Sequence, residues 1–106
     1  MNKTEVIARR ILGWKLNRWD RWYDFETGEF IYDCDFQPEQ QLEHALRIVD
    51  RLEQYGFTYV PKGNTEVSFN NVVGTGSTLA EAITNAAYKV ADNSTVPEDW
   101  MQYELI

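Results

Sequence analysis

The chain has 106 residues, 43% of them hydrophobic and 25% charged, which fits one globular domain and excludes both wholesale disorder and two independent cores. Ten Lys and Arg against 17 Asp and Glu leave a net charge of −7, which argues against general nucleic-acid binding, an affinity drawn from phosphate neutralisation. No apolar run approaches the ~18–20 residues that span a bilayer, no secretory leader is visible, and Cys34 and His44 are each the only residue of their kind, too few for a disulfide or a structural zinc site.

The first predicted element is a helix over residues 3–12. Asn2 is placed to cap it, Glu5 to complete a capping box, and Val6, Ile7, Ile11 and Leu12 form its apolar stripe, with Gly13 as terminator. Residues 22–25 and 30–32 are strand-forming runs joined by Glu26-Thr27-Gly28-Glu29, which reads as a β-hairpin. Residues 14–19 can add a further extended piece.

A second helix follows Pro38 and Glu39. Leu42, Ala45, Leu46, Val49 and Leu52 recur at helical spacing and Gly56 closes the segment. A second strand pair, 57–60 and 65–73, is joined by Pro61-Lys62-Gly63-Asn64. The third helix starts at Thr78, where Thr78 and Glu81 form a capping box, and Leu79, Ile83, Ala86, Ala87 and Val90 line one face. The expected order is αββαββα, an α+β domain over residues 1–91 with a small antiparallel sheet, followed by an acidic, aromatic-containing tail over 92–106.

Gly13-Trp14, Trp22-Tyr23-Asp24, Phe36-x-Pro38, Glu43-His44-Ala45 and the glycine-threonine stretch opening the Ala-rich helix from Gly74 to Ala91 occur in this order. Together they resemble the phage ABA sandwich domain, found in small proteins of Bacillus-type phages and prophages, over roughly residues 4–91. The resemblance implies a helix–sheet–helix layered sandwich and a phage origin. It carries no catalytic assignment onto these residues.

Charge is unevenly spread along the chain. Residues 1–22 carry Lys3, Arg9, Arg10, Lys15, Arg18 and Arg21 against Glu5 and Asp20, whereas 23–46 carry seven acidic residues and no Lys or Arg. Pairing between the two segments is the plainer consequence, and a small-anion site the sharper one. The junction Asn71-Val72-Val73-Gly74-Thr75-Gly76-Ser77-Thr78 runs from strand to helix N-terminus, where free N–H groups favour an anion. Gly76, Ser77 and Thr78 are therefore candidate phosphate contacts, with Arg10, Arg18 and Trp22 as candidate guanidinium and stacking partners. The competing reading is a plain capped connection.

Catalysis finds little support. His44 falls on a helix flank with Ile48 and Tyr55, and flank or interface burial explains it more simply than a general base. Cys34 sits between Asp33 and Asp35, whose charges disfavour a thiolate, and it reads as a small strand residue. Asp33 and Asp35 would share a strand face and, with Asp24, could gather around a divalent cation, which keeps a metal-assisted enzyme as an alternative. No metal or cofactor is expected.

Aromatic residues make up 14% of the chain, more in the first hairpin than one sheet face can bury. His44, Ile48, Tyr55, Trp100 and Tyr103 are thus candidate interface residues in a homo-oligomer. The function expected is a small phage-encoded, non-enzymatic binding protein acting in the host cytoplasm. It would counter host antiviral defence by sequestering an anionic nucleotide signal or by occupying a host protein. A structural or regulatory interaction domain using exposed aromatics and the acidic tail is a further alternative.

Overall fold

The computed structural model describes residues 2–92. Along the chain a helix, a sheet, a helix, a second sheet and a third helix follow one another, the α+β order expected; each sheet has three strands, the first strand of the chain lying within the extended piece expected over 14–19. Helix α1 (Lys3–Arg10) is capped by the Asn2 side chain, which accepts the Glu5 N–H at 2.8 Å. The box is one-sided, because the Glu5 carboxylate turns instead toward Arg9. The helix also stops two residues early. Ile11 and Leu12 N–H both reach the Ile7 carbonyl, and Gly13 at φ +71° then reverses the chain.

The first sheet is antiparallel, with order β1 (Lys15–Leu16), β2 (Arg21–Asp24) and β3 (Glu29–Tyr32). The Asn17 side-chain oxygen accepts the N–H groups of Trp19 and Arg21, a local bond that closes the β1–β2 turn. Register sorts the side chains by face. Leu16, Trp22 and Ile31 share the inner face, whereas Lys15, Tyr23 and Phe30, and next to them Arg21 and Tyr32, share the outer one.

The chain then makes a 3-10 turn at Asp33–Asp35 rather than continuing as strand. Cys34 is exposed on that turn and is not a strand residue, and Asp33 and Asp35 do not share a strand face. Pro38 lies buried in the turn before helix α2 (Leu42–Gln54), not in the helix itself.

On α2 the buried stripe is Ala45, Ile48, Val49 and Leu52, while Leu42 and Leu46 stay about 40% exposed (43% and 41%). Both sets have helical spacing. What selects between them is the opposite flank, where Arg51 reaches the Leu12 carbonyl at 2.7 Å and Glu26 at 2.7 Å, and Arg47 faces Asp24 at 3.8 Å. Anchoring the first sheet through these arginines turns Ile48 into the core and Leu46 out.

The second sheet has order β4 (Tyr59–Lys62), β5 (Glu66–Phe69) and β6 (Val72–Thr75). The single long strand expected over 65–73 is broken by a tight turn at Asn70, which adopts φ 55°, a conformation asparagine tolerates. Asn70 is held there by a reciprocal pair of bonds with the Thr58 backbone. Helix α3 (Leu79–Asp92) packs its small residues onto β5 and β6 and also touches α1 and α2, so it sits at the centre of the molecule.

Candidate functional site

The strand-to-helix junction is the leading anion candidate, and part of its donor set is already engaged within the chain. Ser77 N–H donates to the Glu81 carboxylate at 3.0 Å, and Glu81 N–H donates to the Thr78 hydroxyl at 3.1 Å, a capping box whose carboxylate reaches back one residue beyond the cap. Gly76 N–H bonds the Thr65 carbonyl. The Glu81 carboxylate therefore occupies the positive end of the helix dipole that an anion would use. A cavity of about 650 Å³ does open beside Ser77 and Thr78, but Glu39 and Glu81 are in its wall, with Leu42 and Asn64. Its charge opposes a phosphate.

The partners proposed for this junction do not converge on it. Arg10 donates to the Ala91 carbonyl, at the far end of α3 and about 20 Å along the helix from Thr78 at 1.5 Å per residue. Trp22 is fully buried, its indole N–H donating to Asp33 at 2.8 Å and the Arg9 guanidinium covering its ring at 5.2 Å, so no base can stack on it. Arg18 lies over the Trp19 ring at 4.7 Å in the exposed β1–β2 turn.

The interface candidates also separate. Ile48 is wholly within the core of its own chain and offers no surface. Tyr55 donates its hydroxyl to the Ile11 carbonyl, tying α2 to α1. Trp100 and Tyr103 lie outside the described residues. His44 stacks on Phe36 at 5.4 Å between ring centroids, and Phe36 in turn meets Trp14 at 4.8 Å. Its Nδ1 accepts the Gln37 N–H at 3.0 Å. Burial, and then the neighbouring Arg47 charge, lower its pKa below the ordinary 6.5 despite Glu43 and Asp35, which keeps the acceptor nitrogen unprotonated. The imidazole orders the turn before α2.

Nor do the carboxylates gather for a metal. Asp24 faces Arg47 and accepts the Glu26 N–H, Asp33 takes the Trp22 indole, and Asp35 lies beside the Cys34 thiol. Among the described residues no group of three or more His, Cys, Asp or Glu could hold a metal ion. No described helix is long and apolar enough to cross a membrane.

What the fold leaves open is the outer face of the first sheet. Phe30 is 56% exposed, Tyr32 47%, and Phe25, in the turn between β2 and β3, 56%. Tyr23 packs edge-on to Phe25 at 4.7 Å and against Phe30 at 5.0 Å, so these rings form one cluster. Arg21 lies over Tyr32 at 4.8 Å and donates to its hydroxyl at 2.8 Å, and Lys15 pairs with Tyr23 across the sheet. Trp19, 63% exposed with Arg18 on its ring, lies in the turn between β1 and β2. By contrast the outer face of the second sheet alternates Val60, Ser68 and Val73 with Lys62, Glu66 and Thr75. The sequence singled out Trp22, the one ring of its run that is buried. Two-residue alternation was the available signal, since Arg21 and Tyr23 fall opposite Trp22 and Asp24.

The phage ABA sandwich domain family matches the chain over residues 5–88. No curated protein and no solved structure matches it.

Proposed function

The chain belongs to the phage ABA sandwich domain family, and from that premise we propose that it is a non-enzymatic binding protein that counters host antiviral defence in the host cytoplasm. Its working surface is the outer face of the first sheet, where it holds a ligand without turning it over. One observation carries this reading: the joined rings of Tyr23, Phe25 and Phe30 with exposed Tyr32 on the same face, more than a small monomer leaves to water without use. The committed imidazole of His44 and the dispersed carboxylates support recognition over chemistry.

The test is phage plating on a host strain carrying defence systems, with the chain expressed from a plasmid. Wild-type protein raises plating efficiency against at least one system, and the double variant Tyr23→Ser/Phe30→Ser, checked for unchanged expression and Tm, loses that effect. Protection retained in full by the double variant sinks the surface, and no protection against any system sinks the role.

A further inference from the structure

Resting on that reading of the surface, we propose that the ligand is single-stranded nucleic acid. The overall acidity of the chain points the other way only until its charges are assigned to faces. Asp24 and Glu26 are turned to the inner side and meet Arg47 and Arg51, and Asp33 is bonded to the buried indole of Trp22. Lys15, Arg18 and Arg21 stay with the outer rings, and the exposed carboxylates Asp20 and Glu29 lie at the two borders. The face is thus aromatic and locally cationic on an acidic protein.

Its shape selects a polymer. Alternate residues on a strand stand about 6.7 Å apart, so Phe30 and Tyr32 form successive steps on the outer face, with Phe25 beyond the Phe30 end. With Arg21 already over Tyr32 and Arg18 over Trp19, the freest rings are Phe25 and Phe30, enough for about two successive bases, and Lys15, Arg18 and Arg21 supply the cations a backbone would meet. A lone nucleotide needs a concave enclosure, and the pockets beside Glu81 and beside Arg51 both lie away from this face. Duplex DNA hides the base faces that such rings would stack on.

The experiment is fluorescence anisotropy of 5′-labelled dT8 and dA8 with the full chain, against an eight-base-pair duplex and labelled AMP, across a salt series. Binding to the single strands should be at least tenfold tighter than to the duplex or AMP. Three phosphate contacts predict a slope of log K on log salt of about −2. Phe30→Ala should weaken binding roughly tenfold with Tm unchanged, and Arg21→Gln should flatten the slope by about 0.7. No saturable binding to either oligonucleotide, or binding indifferent to Phe30→Ala, overturns the assignment. If a peptide of residues 93–106 or a second copy of the chain occupies the face instead, the nucleic-acid assignment falls while the plating test above still decides the surface.

Discussion

Gly74 lies directly beneath Ala86, so close that a Cβ on residue 74 would come within 2.6 Å of the Ala86 Cα. This contact sets the distance between β6 and α3, and neither backbone can retreat without opening the core around Val67 and Ile83. Gly74→Ala should therefore lower stability by about 1–3 kcal/mol, the usual cost of overpacking. Urea denaturation measures it, and an unchanged midpoint would mean that the two elements slide apart freely.

The capping box at the start of α3 should be worth more than any anion held there. Thr78→Ala removes the acceptor for Glu81 N–H and should cost about 1 kcal/mol. Glu81→Gln should cost less, since an amide oxygen can still take the Ser77 N–H. Millimolar phosphate should leave the wild-type Tm where it is, because the Glu81 carboxylate already fills the site. A phosphate-dependent rise would return the junction to candidacy.

His44 gives the fold a pH dependence of predictable sign. Its pKa is lowered on folding from 6.5, mainly by burial, so the unfolded chain binds the proton more readily. The contribution is fully present above pH 6.5 and is lost as pH falls through the lower folded value. Protonation there would also put a donor opposite the Gln37 N–H. Tm should fall as the pH drops below 6.5 in the wild type and less steeply in His44→Gln. An NMR titration placing the His44 pKa above 6.5 would refute this.

Arg51 and Lys62 should behave oppositely although both form ion pairs. Arg51 is largely buried and bonds both the Leu12 carbonyl and Glu26, so Arg51→Met should cost about 1–3 kcal/mol by leaving charged-group bonds unmade. Lys62 pairs with Glu66 in open solvent, and Lys62→Ala should stay within ~0.5 kcal/mol of wild type. Equal losses in the two variants would show that burial is not what distinguishes the pairs.

Local chemistry wrote much of this fold into the sequence. Asn2, Thr78 and Glu81 mark helix starts because their short-range bonds need no tertiary partner, and Gly13 and Gly28 mark reversals because their positive φ is local too. The family motif was legible for the same reason, although only the structure shows that Trp14, Phe36 and His44 belong together in one stack. The turn at Asn70 was missed because its φ is stabilised by Thr58, twelve residues away.

Which side each element shows to water was decided by contacts between elements. The periodicity of α2 permits either Leu46 or Ile48 inside, and Arg47 and Arg51 choose by anchoring on the first sheet. In β2 alternation separates Trp22 from Tyr23 but cannot say which faces the core. The Asp33 acceptor and the Arg9 guanidinium, from opposite sides of the strand's own sequence, draw Trp22 inward and leave Tyr23 and Phe30 outside. Spacing along a chain fixes which residues share a face, whereas the identity of the buried face depends on charges and rings that meet only once the chain has folded.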